Sequence, residues 1–366
     1  MPHWASAFLP LTDMKTLMND FTKALCSAVI IALLVSCTDG KANNVIEDWP
    51  WEDPVMPEQP EEDPGKEYLD LGWTNVGKEY GVLPEYINVY KSPSNLLSKS
   101  AVAYIAVADM EASEWDVWSV ESDMSYKTDD SYMTPSQIYD AEKCPVVING
   151  GYFFWSDGNY TSSLAVSKGK VLAYNINYAS EDWVTVYSPT RAAFVQTANG
   201  KFDACWTYAA TDGKHFTYQV PAANSYSRPP LEVPSETFPE KAVKFKAQTA
   251  IGGGPVLINA GEIVNTWEEE LFEVGGVEPD SSHPRTAIGI TADRRMIMFV
   301  CEGRNMTEGV KGFTTEEVAE IMKELGCVEA INLDGGGSSC MLVNGKETIR
   351  VSDGSQRAVA SAVMFK

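Results

Sequence analysis

Histidine is scarce in this 366-residue chain. Its three copies, His3, His215 and His283, stand far apart, which leaves no room for a His-rich metal site. Basic residues are also few. Lys plus Arg number 28 against 51 Asp plus Glu, and the resulting net charge of −23 repels phosphate backbones, which excludes general nucleic-acid binding. No apolar run reaches the roughly 18 residues that a membrane-spanning helix needs. No repeat of fixed period is present, so solenoid and propeller arrays drop out. Beyond Cys37 the cysteines are odd in number: Cys144, Cys205, Cys301, Cys327 and Cys340. At least one thiol is therefore free, and their apolar, strand-like settings argue for buried inert thiols and against a disulfide framework. What is abundant is apolar sequence. A hydrophobic content of 44% with 22% charge supplies a real core and excludes wholesale disorder.

The N-terminal stretch reads as an address. Lys15 and Lys23 precede an apolar run over 24–35, too short to span a bilayer but fitting the core of a secretory signal, with Met14 as initiator. The run ends in Leu34-Val35-Ser36-Cys37, which resembles the lipobox of bacterial lipoproteins. That resemblance implies a signal peptide over 1–37, a lipid on Cys37 and an exported protein anchored in a membrane. Residues 38–70 follow with eleven acids, two lysines and five prolines (Pro50, Pro54, Pro57, Pro60, Pro64), the composition of an extended, self-repelling tether.

From residue 71 to 366 the pattern is strands and tight turns. Short apolar runs at 101–108 and 145–149 have strand length. Ser167-Lys168-Gly169-Lys170, Asn199-Gly200, Asn259-Ala260-Gly261-Glu262 and Asn344-Gly345 each separate two apolar runs, the hairpin signal. Two helices stand out. Thr134-Pro135 opens one over 136–143. Thr314 and Glu317 form a capping box for the other, whose apolar stripe is Val318, Ile321, Met322 and Leu325 and whose stop is Gly326. The expected fold is α+β: a mixed, hairpin-rich β-sheet core with a few flanking helices, in a single large domain.

Three glycine clusters each follow an apolar strand: Asn149-Gly150-Gly151-Tyr152-Phe153, Ile251-Gly252-Gly253-Gly254-Pro255 and Asn332-Leu333-Asp334-Gly335-Gly336-Gly337-Ser338-Ser339. Consecutive glycines either turn the chain or let backbone N–H groups converge on an anion. Nucleotide motifs do not fit, because Gly335–Gly337 lacks the Lys-Ser/Thr of a Walker loop and runs into a strand. Ser338, His283 and Asp334 supply the residue types of a hydrolase triad, but no Gly-x-Ser-x-Gly elbow accompanies them. Of eight arginines, six lie between 285 and 357. Arg285 and Arg304 stand at strand ends near glycines, as an oxyanion site requires, whereas Arg294 and Arg295 sit in a hairpin turn facing water.

Taken in order, Asn-Gly-Gly-Tyr-Phe at 149–153, Ile-Gly-Gly-Gly-Pro at 251–255, Pro-Arg-Thr-Ala-Ile-Gly at 284–289, Glu-Gly-Arg-Asn at 302–305 and Asn-Leu-Asp-Gly-Gly-Gly-Ser-Ser at 332–339 resemble the phosphodiester glycosidase family over roughly 100–366. Glu302-Gly303-Arg304 stands where the family often has Asp-Gly-Arg, Ile349-Arg350-Val351 replaces its Asn-x-Pro, and Gln356-Arg357 its Glu-Arg. The resemblance implies a hydrolase that cleaves the glycosidic bond of a sugar-1-phosphodiester, here in a glycan or cell-envelope polymer, without cofactor or metal.

Such chemistry needs a carboxylate at the anomeric carbon or on water, and cations and N–H donors for the phosphate, which is already a stable leaving anion. Asp334 and Glu302 are the expected catalytic carboxylates. Arg285, Arg304 and Arg357 are candidate phosphate ligands, together with the backbones of Gly150, Gly151, Gly253, Gly254, Gly335, Gly336 and Gly337. Asn149, Asn332, Ser338 and Ser339 are placed to bond sugar hydroxyls or phosphate oxygens, and the aromatics from Tyr152 to Trp155 to stack on a ring. The alternatives are a non-catalytic glycan-binding lipoprotein on the same fold and, ranked last for want of paired His and Asp motifs, a metal-dependent phosphodiesterase.

Overall fold

The alternation of apolar side chains in the longest strands explains the architecture. In the strand Ala103–Asp109, Tyr104, Ala106 and Ala108 face one core while Ala103, Ile105 and Val107 face another. Arg295–Cys301 divides likewise, Met296, Met298 and Val300 to one side and Ile297, Phe299 and Cys301 to the other. A strand buried on both faces lies inside a layered molecule. The computed structural model describes residues 65–155 and 158–366. The expected signal peptide over 1–37, its Cys37, and the stretch 38–64 lie outside the described residues. The described residues form one compact unit.

Three sheets enclose the main core. One has eight strands, with Ala103–Asp109, Arg295–Cys301, Arg285–Thr291 and Cys327–Asn332 adjacent in its middle. A second, of seven strands, is centred on Thr249–Gly252, Arg191–Gln196 and Phe202–Ala209. The third, of five, carries Met341–Val343, Val146–Asn149 and Ser361–Phe365 side by side. All contribute to one apolar cluster that includes Val89, Ile148, Phe194, Trp206, Met298 and Phe365. The helix Thr315–Glu324 covers the outer face of the eight-stranded sheet, and Pro135–Glu142 that of the five-stranded sheet.

Local chemistry sets these elements. Both expected helices are present with complete capping boxes, Thr134 with Gln137 and Thr314 with Glu317. The four expected hairpins form, with Lys168-Gly169, Ala260-Gly261 and Asn344-Gly345 at positive φ as two-residue turns require. The five cysteines are free and buried. Two expectations change. The sheet core is not mixed, since every strand pairing among the described residues is antiparallel; hairpin connections of a few residues cannot join parallel neighbours. The acidic stretch also ends earlier than 70. Lys66–Asp70 is a helix whose Tyr68 is buried 5.2 Å from the Tyr90 ring, with the Arg295 guanidinium 5.4 Å from its ring centroid. Arg295 therefore is not a purely solvated turn residue.

Candidate functional site

The three glycine clusters meet where strand ends of the three sheets converge. Asn149 closes its strand with the side chain fully buried. Its Nδ2 donates to the Asp334 carbonyl (2.7 Å), and its Oδ1 accepts from Thr286 Oγ1 (2.8 Å) and the Cys340 N–H (3.2 Å). The Asp334 N–H in turn donates to the Gly150 carbonyl (3.1 Å). Asn332, also fully buried, donates through Nδ2 to the Gly254 and Leu333 carbonyls (2.9 and 2.7 Å). Ser339 Oγ accepts from Thr286 Oγ1 at 3.3 Å. Asn149, Asn332 and Ser339 thus clamp the chain on either side of Asp334, a scaffolding role in place of the expected sugar contacts.

The first two glycine clusters are structural for a related reason. The Gly150 N–H donates to the Ser361 carbonyl, Gly151 to Ser361 Oγ, Gly253 to the Ala192 carbonyl and Gly254 to the Asn332 carbonyl, so these donors are spent within the protein. A Cβ on Gly151 would collide with the Gly252 carbonyl and Ser163, and Gly254 adopts φ +137 against the Phe272 ring. Close backbone approach between sheets, and not anion capture, explains these four positions.

Arg285 is likewise withdrawn from phosphate binding. It is 2% exposed, and its guanidinium donates to four carbonyls: Phe313 (3.0 Å), Val277 (2.9 Å), Glu278 (2.7 Å) and Ser281 (2.9 Å). It ties the 277–281 loop to the sheet. His283 Nε2 pairs with Glu278 Oε2 at 2.6 Å, while Ser338 turns to Arg357, so no Ser–His–Asp triad assembles. Glu302 is 3% exposed; Oε1 accepts from the Arg350 N–H (3.0 Å), and Oε2 is buried without a partner. It does not share a hydrogen bond with Asp334.

Asp334, Ser338, Arg357 and Arg304 do come together. Asp334 is partly accessible, and its Oδ1 accepts from the Gly335 N–H at 2.8 Å. Burial pushes its carboxyl up to about 6, against the opposing pull of a Ser338 hydrogen bond, the Arg357 charge, the Gly335 N–H and the more distant Arg285 charge. Arg357 Nη1 donates to Ser338 Oγ (3.2 Å), its Nε and Nη2 donate to Asp353 Oδ2 (3.0 and 2.6 Å), and its guanidinium lies 5.7 Å from the Trp155 ring. Arg304 Nη1 donates to Ser352 Oγ (3.3 Å) and stands 3.8 Å from Asp353 Oδ1. The Arg304 guanidinium also lies over Gly336, where an added Cβ would come within 2.9 Å of Nη2. The third glycine cluster is therefore the floor of an accessible cationic site beside a carboxylate.

Sequence reasoning missed three contributors. Asp353, which joins the two arginines, sits in a loop whose composition signals only a turn. Glu270 and Arg191 lie behind Tyr152. Glu270 accepts from the Val256 N–H (2.8 Å), Thr266 Oγ1 (2.8 Å) and the Ala192 N–H (2.7 Å), while burial pushes its carboxyl up to about 7. The Arg191 guanidinium packs 4.4 Å from the Phe272 ring centroid, and that ring lies 5.4 Å from Tyr152. Tyr152 donates its hydroxyl to the Gly254 carbonyl at 2.6 Å, so it is framework; Trp155, 58% exposed, and Phe154 are the aromatics left for a ligand. An open groove of about 550 Å³ lined by Glu121, Asp123, Lys127, Asp129 and Asp130 shares no residue with this cluster, and its acidic wall opposes an anionic ligand.

Over 81 residues the chain is 37% identical to the SPbeta prophage-derived uncharacterized protein YomE of Bacillus subtilis (strain 168), covering 22% of this chain and 12% of that protein. Over 97 residues it is 31% identical to the N-acetylglucosamine-1-phosphodiester alpha-N-acetylglucosaminidase of Mus musculus, covering 26% of this chain and 18% of that one. The chain thus spans under a fifth of the length of these relatives. Among solved structures, the zebrafish N-acetylglucosamine-1-phosphodiester alpha-N-acetylglucosaminidase catalytic domain, auto-inhibited by its pro-peptide, superposes with a TM-score of 0.51 at 20% identity, covering 76% of this chain and 82% of that one. A hypothetical protein from Synechocystis gives 0.50 at 16% identity, covering 78% and 64%. Both share the fold. The phosphodiester glycosidase family model matches residues 142–366, which contain every residue of the cluster around Asp334, and the chain belongs to that family.

Proposed function

We propose that this protein hydrolyses the glycosidic bond of a sugar-1-phosphodiester in a glycan or cell-envelope polymer. The observation that carries the reading is the Asp334 carboxylate beside two accessible guanidiniums, Arg357 and Arg304, on a glycine floor. Binding alone has no use for a carboxylate next to an anionic ligand, whereas cleavage at the anomeric carbon does. Asp334 is ionised above about pH 6 and acts there as nucleophile or as base toward water. Arg357 and Arg304 hold the phosphate and stabilise it as it leaves. Ser338 links Asp334 to Arg357, and Trp155 offers a ring face to the sugar. Glu302, with one unpartnered buried oxygen, is the second carboxylate of the scheme.

The reading predicts turnover of a chromogenic N-acetylhexosamine-1-phosphodiester, unaffected by chelator, with sugar and intact phosphate monoester as products. Binding without turnover across a panel of envelope polymers would favour the glycan-binding module, for which exposed Trp155 and Phe154 are suited. Release of sugar 1-phosphate would place the cut at the P–O bond and remove the glycosidase. We further propose export and lipid anchoring through Cys37, supported by the lipobox-like Leu34-Val35-Ser36-Cys37. Cys37→Ala should shift the protein from the detergent to the aqueous phase; an unchanged partition would reject the anchor.

A further inference from the structure

Among the described residues Asp353 is the one carboxylate that hydrogen-bonds Arg357, and it is exposed. Its Oδ2 accepts from both Nε and Nη2 of Arg357 (3.0 and 2.6 Å), and its Oδ1 stands 3.8 Å from Arg304 Nη1. One anionic fork thus faces the two guanidiniums to which the proposed function assigns the phosphate. Each arginine also has a contact other than Asp353. Arg357 is held by Ser338 Oγ and lies against the Trp155 ring, while Arg304 is held by Ser352 Oγ and rests over Gly336. Gly337 passes directly under the pair: a Cβ there would collide with both Arg357 Nη2 and Asp353 Oδ2. Asp353 belongs to a turn closed by the Gly354 N–H donating to the Val351 carbonyl (3.1 Å), and an atom added at Gly354 meets nothing within 4 Å. The outer side of the turn is open to solvent.

We infer, on the basis of that proposed function, that Asp353 occupies the phosphate seat of the free enzyme and is displaced by the substrate's phosphodiester. A phosphodiester carries the same single charge and presents two oxygens in a comparable fork, so it accepts the same N–H groups. The displaced carboxylate regains water at little cost, because an exposed ion pair contributes little net stability. Asp353 then acts as a specificity residue. A neutral aglycone cannot replace it at the arginines, and the seat stays filled. An anionic aglycone opens it.

The experiment measures calorimetric binding of inorganic phosphate and of methyl phosphate to the wild-type protein and to Asp353→Asn and Asp353→Ala, with melting temperature as the control for folding. Removing the competing charge should tighten anion binding by about 3- to 10-fold in both variants, the scale of one or two exposed ion pairs, and should lower KM for the chromogenic phosphodiester in parallel. Weaker binding in folded Asp353→Asn would show that the carboxylate positions the arginines and would overturn the inference, as would equal binding in all three proteins. Tighter anion binding without turnover of any sugar phosphodiester would sustain the seat while sinking the glycosidase reading, so the two failures are distinguishable.

Discussion

Two residues that the sequence puts forward for the site, Asp334 and Arg285, diverge once their surroundings are known. Asp334 keeps a partly accessible carboxylate whose pKa burial has raised to about 6. For an acid the sign is definite: the folded state binds the proton more tightly than the unfolded chain, so ionisation destabilises the fold as pH rises from about 4 through 6. Asp334→Asn should therefore melt at the wild-type temperature or slightly higher at pH 7.5, while kcat falls by roughly 10²-fold. In the wild type kcat/KM should rise with pH through about 6 and then level. A folded Asp334→Asn protein with near-normal kcat would end the catalytic assignment. Arg285 answers to the opposite test. Arg285→Ala would strip a donor from four carbonyls, of which those of Phe313 and Glu278 retain the His283 and Ser281 N–H groups, a loss of about 2–4 kcal/mol in stability. Arg285→Lys, with charge but no planar fork, should recover only part of it in chemical denaturation. If Arg285→Ala kept its denaturation midpoint yet lost kcat/KM, the arginine would have to be returned to the phosphate.

At the scale of elements, the helix Thr315–Glu324 repays attention because local and tertiary terms agree there. Thr314 Oγ1 accepts from the Glu317 N–H (3.2 Å), the Glu317 carboxylate accepts from the Thr314 N–H (2.9 Å), and Val318, Ile321, Met322 and Leu325 are buried against the eight-stranded sheet. Each of those side chains contributes about 1.5–3 kcal/mol on burial, which outweighs the cap. Thr314→Ala should thus cost about 1 kcal/mol and lower Tm by about 2 °C without loss of the helix. Glu317→Ala should cost more, since the same carboxylate also pairs with Lys99 at 2.6 Å. Equal melting of the two variants would argue that the Lys99–Glu317 pair adds nothing. The glycine clusters belong to this scale as well. Their flanking strands are legible from apolar runs, but two of the three use glycine to let sheets touch and only the third floors a site.

For the described residues as a whole, burial pushes three enclosed carboxyls up in pKa, Glu270 and Glu329 to about 7 and Asp334 to about 6, and raises the more exposed Glu273 as well. Each favours the protonated native state, so each lowers stability as pH climbs from about 4.5 through 7. His215 opposes them, because burial depresses it to about 4 and its contribution is lost as pH falls below 6.5. Three groups outweigh one, and the net charge of −23 adds repulsion in the same direction. Tm should be higher at pH 6 than at pH 8. Glu329 spans two sheets through the Ala204 and Ala260 N–H groups (3.2 and 3.1 Å), and Glu329→Gln should flatten the profile. A melting temperature that rises from pH 6 to pH 8 would contradict this assignment of the buried charges.

The sequence by itself determined what depends on neighbours along the chain. Caps at Thr134 and Thr314, two-residue turns at Asn344-Gly345 and its counterparts, and apolar runs of strand length are short-range physics, and they fell where expected. It also put Asp334 forward as a candidate, because an aspartate between an apolar strand and three glycines sits at a strand end either as a turn cap or as a site carboxylate. Tertiary structure alone decided which polar side chains reach accessible space. Arg285 and Arg357 are equally plausible phosphate forks in one dimension, yet four carbonyls from a distant loop surround the first while the second opens onto Asp353. Whether a guanidinium is saturated depends on acceptors brought close by the packing of three sheets, and that is information no local pattern of residues carries.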